Sequence, residues 1–162
     1  MERKPAMMTI TQREITRDEL QMIYDDFKKI EIADGVPQQE EERYQFTAEE
    51  NGEVIGFVSG LTKYRWFYLT DMWVDERYRR QGLGSKLLKM MEDKVTANGM
   101  EHIYLWTSGR INPFFYEKHG YQSFVIFENF YELEGYHHMG YRKDFNGLEK
   151  TKINERTYVY HK

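Results

Sequence analysis

The stretch from residue 69 to residue 98 constrains the fold more than any other part of the chain. A strand-like run that ends at Val74 is followed by a short loop rich in arginine and glycine. Leucine, methionine and valine residues then recur with the spacing of one helical face, and Asn98-Gly99 supplies a C-terminal stop. The sequence therefore predicts a strand, a loop and a helix, with Gly82 and Gly84 where the helix begins.

The predicted start of this helix is suited to binding an anion. The first turn of a helix has backbone N–H groups without internal partners and carries about half a positive charge. Glycines at this point let a ligand approach the backbone closely, and Arg79, Arg80 and Lys86 add full positive charges. These features predict a cradle for a multiply phosphorylated group.

The glycine spacing argues against two common phosphate-binding loops. A dinucleotide fingerprint needs a third glycine and a later acidic residue, and a P-loop ends in Gly-Lys-Ser/Thr. Here Gly82-Leu83-Gly84 is followed by Ser85, Lys86 and Leu87. An NAD-dependent oxidoreductase is therefore not favoured.

Two segments resemble motifs of one enzyme family. Residues 79–84, Arg-Arg-Gln-Gly-Leu-Gly, resemble the pyrophosphate-binding motif Gln/Arg-x-x-Gly-x-Gly/Ala of the GCN5-related N-acetyltransferase (GNAT) family. Residues 115–121, Phe-Tyr-Glu-Lys-His-Gly-Tyr, resemble the Phe-Tyr-Glu-Lys-x-Gly-Phe/Tyr signature that closes the coenzyme site in that family. The two motifs occur in the family's order, and the resemblance covers residues 44–145.

The resemblance implies an α/β (α+β) fold of the GNAT type. Such a fold has a mixed central sheet of about six to seven strands, an antiparallel N-terminal meander, a βαβ coenzyme site and flanking helices. We expect one such domain over residues 1–145. Residues 146–162 form an extension, which we expect to be an edge strand, a dimer contact or disordered.

Local patterns predict the individual elements. Polar and apolar residues alternate weakly over residues 7–15, as in an opening strand. Thr16 and Glu19 form a capping box that begins a first helix. Asn51-Gly52 is a strong signal for a hairpin turn. Asn112 and Pro113 suit the N-cap and first position of a short helix. The remaining predicted strands are residues 66–74, 102–107, 121–127 and 135–143, of which the first two should be parallel.

The resemblance also implies roles for individual residues. The backbone of Met72, Trp73 and Val74 would contact the acetyl group and pantetheine of acetyl-CoA, and Tyr116 would be the general acid for the departing thiolate. Asp71, on the strand just before these contacts, is the candidate base, on the expectation that burial raises its pKa; the alternatives are a structural carboxylate that bonds the backbone and a base that acts through water. The pyrophosphate would be held by Arg79, Arg80, Gln81, Gly82, Leu83, Gly84 and Ser85, with further coenzyme contacts from Asn112, Phe115 and Tyr116.

One position departs from the family pattern. The family usually has an asparagine seven residues before the tyrosine, and this chain has Gly109 there. Asn112, four residues before Tyr116, could serve as helix cap, coenzyme contact or both.

Composition limits the other functions of the chain. Its 162 residues carry a net charge of −4, which argues against nucleic acid as the main partner. The absence of cysteine excludes disulfides and thiolate metal sites.

His137 and His138 are adjacent on a predicted strand and point to opposite faces, so we assign no metal. No signal peptide or membrane span is evident, and we expect a cytoplasmic protein.

The leading hypothesis is an N-acetyltransferase that moves an acetyl group from acetyl-CoA to a primary amine in a ternary complex. The acceptor is a small molecule or a protein amine, and a homodimer is possible. The alternative is a noncatalytic module that binds acyl-CoA and acts as a sensor.

Overall fold

The computed structural model of the chain describes residues 8–146, 149–154 and 157–161, with side chains over residues 8–146. The chain divides into two compact units, residues 1–38 and residues 39–162. Within the described residues, no helix has both the length and the apolar character needed to cross a membrane.

Over residues 8–38 the first unit has one helix, α1 (Arg17–Ala33), which begins with the predicted capping box. The Thr16 hydroxyl accepts from the Glu19 N–H at 3.2 Å, and the Glu19 carboxylate accepts from the Thr16 N–H at 2.9 Å. The carboxylate also binds Arg13, which with Thr16 lowers the pKa of Glu19 to about 2. The predicted opening strand is wrong: residues 8–15 form no strand, because a short alternating segment needs a neighbouring strand to pair with.

The second unit is built on a mixed six-stranded sheet, which confirms the predicted fold class. Its elements are β1 (Arg43–Glu50), β2 (Glu53–Lys63), β3 (Trp66–Val74), α2 (Leu83–Ala97), β4 (His102–Gly109), α3 (Asn112–Lys118), β5 (Gln122–Phe127) and β6 (His137–Asp144). The strand order in the sheet is β1-β2-β3-β4-β6-β5, and among these described strands only β3 and β4 pair in parallel. Helix α2 crosses between those two strands, and helix α3 follows β4.

The hairpin between β1 and β2 turns at the predicted Asn-Gly pair. Asn51 and Gly52 have φ angles of 50° and 82°, the positive values that a two-residue turn of this kind requires. The antiparallel meander of β1, β2 and β3 is therefore confirmed.

The hydrophobic core lies on one face of this sheet. Helix α2 buries a stripe of apolar side chains against alternate residues of the central strands, and Tyr116 of α3 joins the same cluster. We call this side of the sheet the helix face. Side chains at the intervening positions of β3 and β4 point to the opposite face, because successive residues of a strand alternate. The central core residues are Phe67, Leu69, Leu87, Leu88, Met91, Val95, Ile103 and Leu105.

The two parallel strands separate halfway along their length. Residues Trp66 to Leu69 of β3 pair with His102 to Leu105 of β4, and the pairing ends there. In the β2–β3 ladder Ser59 lies opposite Asp71 and Gly60 opposite Leu69, so Thr70 is the extra residue of a bulge. We call the gap between residues 70–74 of β3 and residues 106–109 of β4 the splay.

The C-terminal extension contains two further strands. β7 (Glu149–Asn154) and β8 (Thr157–His161) form an antiparallel two-stranded sheet. Within the described residues neither strand pairs with the six-stranded sheet, so the expectation of an added edge strand is not met. A role in dimer contact stays a prediction.

Candidate active site

The start of α2 is an open cradle of backbone N–H groups. Gly82 is the N-cap and has a φ angle of 86°, which favours glycine. The Lys86 N–H donates to the Gly82 carbonyl at 2.9 Å, so the N–H groups of the preceding turn have no acceptor within the helix. A Cβ atom on Gly82 would meet no heavy atom within 4 Å, so a ligand can approach this backbone closely.

The loop before α2 is held in shape by its own side chains. The Arg79 Nε donates to the Val74 carbonyl at 2.9 Å, and the Gln81 amide donates to the Arg77 carbonyl at 2.8 Å. Arg77 is paired with Asp75 at 3.0 Å, and this contact lowers the pKa of the Asp75 carboxyl. The predicted pyrophosphate ligand Gln81 therefore shapes the loop with its side chain.

The positive charge available to a ligand in this loop comes from two arginine side chains. Arg79 and Arg80 are exposed, and Arg80 has a φ angle of 60°. A cleft of about 310 Å³ opens beside the cradle, and Gly82, Leu83 and Lys86 form part of its wall. The cradle therefore combines backbone donors, cationic side chains and space for a ligand.

Three predicted site segments converge at Gly84. A Cβ atom on this glycine would lie 3.5 Å from the Met72 Cε of β3 and 3.5 Å from the Phe115 ring of α3. The neighbouring Ser85 hydroxyl lies 2.9 Å from the His119 Nε2, so the first turn of α2 is tied to the end of α3. Burial lowers the pKa of His119, which favours the neutral imidazole in this bond.

The backbone predicted to contact acetyl-CoA lies along the splay. Met72, Trp73 and Val74 pair with β2 on one side, but the parallel pairing with β4 has already ended. Their other edge has no partner among the described strands and can take a ligand in an extended conformation, beside the Val74 carbonyl that accepts from the Arg79 Nε. This is the carboxyl end of two parallel strands, where open α/β sheets bind ligands.

Tyr116 lies on the helix face and is only 8% exposed. Its ring packs against Phe115, Tyr121 and Tyr141 with centroid separations of 5.2, 5.7 and 6.3 Å. Burial raises the pKa of Tyr116 to about 12, so the phenol keeps its proton at neutral pH. No hydrogen bond links its hydroxyl to the described side chains.

Asp71 does not have the environment that was expected. Its side chain is exposed, so the expectation that this carboxylate is buried is wrong. The bulge at Thr70 changes the alternation of β3 just before Asp71, and the Thr70 hydroxyl donates to the Asp71 carboxylate at 2.6 Å. Its role as the base stays a prediction.

Asn112 also differs from expectation. It is the first residue of α3, whereas Ile111 occupies the N-cap position, and its amide donates to the Ser108 carbonyl at 3.0 Å. Gly109 has a φ angle of 119°, a conformation that side-chain-bearing residues rarely adopt. This backbone explains why the usual asparagine is absent from position 109.

One polar pair near the splay was missed by sequence reasoning. The Ser108 hydroxyl of β4 lies 2.6 Å from the His138 Nδ1 of β6. The His137 Nδ1 accepts from the Asn129 N–H at 3.2 Å, so the two adjacent histidines have separate partners. The alternation of β4 and β6 was the available signal, but it required knowing that these strands pair. Within residues 8–146 no cluster of three or more candidate ligands could hold a metal.

Comparisons with known proteins agree with this geometry. The profile described as "Acetyltransferase (GNAT) family" matches residues 7–121. The protein named "Uncharacterized N-acetyltransferase YhfO" from Bacillus subtilis (strain 168) is 35% identical over 83 residues, which cover 46% of this chain and 56% of that protein. The chain thus aligns with just over half the length of this relative.

Solved structures share the fold. An acetyltransferase from Bacillus cereus ATCC 14579 is 26% identical with a TM-score of 0.71, covering 83% of this chain and 97% of that one. An aminoglycoside 6'-N-acetyltransferase complexed with coenzyme A is 20% identical with a TM-score of 0.57, covering 80% and 88%. The family match spans well over half of the chain and includes the cradle, the splay and Tyr116. The chain therefore belongs to the GNAT family of acetyltransferases, whose acetyl donor is acetyl-CoA.

Proposed function

We propose that this protein transfers the acetyl group of acetyl-CoA directly to a primary amine of a small molecule. The observation that carries the proposal is the separation of β3 and β4 next to the cradle of α2. An extended pantetheine arm can lie along the free edge of Met72, Trp73 and Val74 while the pyrophosphate binds the cradle. This arrangement brings a thioester to the middle of the sheet.

The residues of the cradle fit the coenzyme. The N–H groups from Leu83 to Ser85 are aimed out of the helix start, and Arg79 and Arg80 supply charge for two phosphates. Bound acetyl-CoA supplies an activated acyl group with a thiolate leaving group. The protein supplies position and proton transfer.

Tyr116 is the proposed proton donor. The departing sulfur needs a proton when its bond to the acetyl carbon breaks, and a neutral phenol on the helix face can donate one. The raised pKa of about 12 keeps this donor protonated across the physiological range. Phe115 beside it contacts the position of Gly84, which places α3 against the cradle.

The acceptor amine must lose a proton before or during attack. Asp71 is the carboxylate at the start of the splay, and its exposure lets it accept that proton directly or through water. A small acceptor is favoured by the aminoglycoside acetyltransferase that shares the fold. Protein N-termini and lysines are a second acceptor class that the same assay includes.

The test is release of coenzyme A thiol from acetyl-CoA across a panel of amines and N-terminal peptides. Because the chain contains no cysteine, a thiol reagent detects only the product. We expect amine-dependent release with small primary amines. Binding of acetyl-CoA without release from any amine or peptide would contradict the proposal and would favour the sensor hypothesis.

A further inference from the structure

A cluster of stacked rings lies at the border of the splay on the face away from α2 and α3. The Trp106 ring lies 5.2 Å from the His138 ring and 6.0 Å from the Phe127 ring, with interplanar angles of 8° and 9°. The Phe130 ring lies 5.1 Å from the His138 ring and 5.9 Å from the Phe127 ring, with interplanar angles of 30° and 28°. We call Trp106, Phe127, Phe130 and His138 the aromatic cluster.

The cluster begins where the parallel strands part. Leu105 is the last residue of β4 that pairs with β3, and Trp106 follows it directly. Leu105 points to the helix face and is fully buried, so Trp106 points to the opposite face. The cluster therefore adjoins the position proposed for the thioester.

In the proposed function the pyrophosphate of the coenzyme lies on the helix face and its thioester lies in the splay. The cradle at the start of α2 and the proton donor Tyr116 both belong to elements packed on the helix face. An amine that attacks the acetyl carbon must approach from a direction these elements leave open. The face that carries the aromatic cluster meets this requirement.

The cluster retains apolar surface that a ligand could cover. Trp106, Phe127 and Phe130 are 38%, 45% and 54% exposed, although each already contacts other rings. The Ser108 hydroxyl holds the Nδ1 of His138 at 2.6 Å and so fixes the orientation of the imidazole. The rings of Trp106, Phe127 and His138 lie within 14° of parallel and form a platform on which another flat ring can stack.

We propose that the acceptor is an arylalkylamine whose ring stacks on the aromatic cluster while its amine reaches into the splay. This inference rests on the acetyl transfer proposed above and specifies its acceptor. The four rings carry no carboxylate, and the exposed Asp71 at the start of the splay is assigned to the reacting amine. An acceptor with several further amino groups or many hydroxyls would need additional polar partners. An aromatic ring with one short amine chain matches the surface that is present.

The first test compares matched amines in the thiol-release assay. Phenethylamine and tryptamine are paired with 2-cyclohexylethylamine, which has the size of phenethylamine without its π system, and with spermidine and glucosamine. We expect kcat/KM for phenethylamine to exceed that for 2-cyclohexylethylamine roughly three- to tenfold, the range of an aromatic contact beyond its area. Equal values for these two amines, or a preference for spermidine or glucosamine, would overturn the inference.

The second test removes one ring of the aromatic cluster. We expect Phe130→Leu to raise the KM for phenethylamine about tenfold with kcat and the KM for acetyl-CoA unchanged, because stacking acts equally in the ground and transition states. Tyr64→Leu is the matched control, since Tyr64 is an exposed ring in the turn at the opposite end of β3. An unchanged KM for phenethylamine in Phe130→Leu would contradict a binding role of the cluster.

A binding measurement separates this inference from the proposed function. Phenethylamine is titrated calorimetrically into the protein saturated with coenzyme A, where no reaction can occur. Binding that weakens in Phe130→Leu but not in Tyr64→Leu supports the cluster, even if no amine releases thiol and the proposed function fails. Thiol release from other amines without any binding of phenethylamine or tryptamine would refute the cluster and leave the proposed function standing.

Discussion

Replacing Tyr116 with phenylalanine removes the proposed proton donor and almost nothing else. The ring stays in the core with its contacts to Phe115, Tyr121 and Tyr141. The hydroxyl has no hydrogen-bond partner among the described side chains, so its loss leaves no group unpaired. We therefore expect the free energy of unfolding to change by no more than about 0.5 kcal/mol.

The expected effect on catalysis is much larger than the effect on stability. A positioned general acid contributes about 10²- to 10⁴-fold to the rate. A hundredfold fall in kcat corresponds to about 2.7 kcal/mol of transition-state stabilisation. Because the hydroxyl acts on the departing sulfur and not on the bound coenzyme, Tyr116→Phe should lower kcat and leave the affinity for acetyl-CoA within about twofold.

Tyr141→Phe is the matched control for this substitution. Tyr141 is fully buried beside Tyr116, and its hydroxyl donates to the Glu117 carboxylate at 2.7 Å. Its removal should cost about 1 kcal/mol of stability, since a hydrogen bond is lost. Turnover should stay at the level of the parent, because no proton transfer is assigned to this residue.

Three measurements test the role of Tyr116. Thiol release gives kcat, calorimetric titration gives the affinity for coenzyme A, and thermal unfolding gives the stability of each variant. Tyr116→Phe with less than a threefold loss of kcat would refute its role as the acid. The same conclusion would follow if Tyr141→Phe lost activity to the same extent, because the loss would then reflect packing of the ring cluster.

Three further predictions concern the cradle, the turn before α3 and the alkaline pH range. Gly82→Ala should destabilise the protein by about 1 kcal/mol and weaken coenzyme A binding, because the φ angle of Gly82 is 86°. Gly84→Ala should retain both the stability and the coenzyme A affinity of the parent, because the added Cβ atom meets only ordinary contacts at 3.5 Å. Thermal unfolding measures the stability of the two variants, and calorimetric titration measures their affinity for coenzyme A. Gly109→Asn should destabilise by about 1–3 kcal/mol, measured by urea unfolding, and an unchanged midpoint would refute the conformational reason for this glycine. The pKa of Tyr116 rises from 10.0 in the unfolded chain to about 12 on folding. Its contribution to stability is therefore complete below pH 10 and is lost as the pH rises to 12. Between pH 10 and pH 12 the free energy of unfolding of the parent should fall by about 2 kcal/mol more than that of Tyr116→Phe.

The elements around the cradle could be predicted because their signals are local. Each of these signals depends on residues that lie close together in the sequence. Examples are the capping box at Thr16, the Asn51-Gly52 turn and the periodic apolar face of α2. The two family motifs added the identity of the coenzyme and the place of Tyr116. These predictions needed no knowledge of which strands pair.

The features that were missed depend on pairing between distant segments. The bulge at Thr70 arises from the register of β3 against β2, and it accompanies the exposure of Asp71. The Ser108–His138 contact requires β6 to insert between β4 and β5. Asn112 is not the N-cap because α3 already begins at Asn112, and its amide donates to the Ser108 carbonyl instead. The φ angle of 119° at Gly109 could not be predicted from residue type alone.

The cradle of α2 lies on the helix face and the aromatic cluster lies on the opposite face, and this predicts that the two proposed binding sites are energetically independent. Gly82→Ala should raise the KM for acetyl-CoA alone, and Phe130→Leu should raise the KM for an arylalkylamine alone. Residues without shared partners contribute additively to free energies, so the double variant should show the product of the two single effects within about twofold. Steady-state kinetics with both substrates varied tests this cycle. A coupling of more than about 1 kcal/mol would mean that the coenzyme helps to form the acceptor site, which would contradict a platform already formed by Trp106, Phe127 and His138.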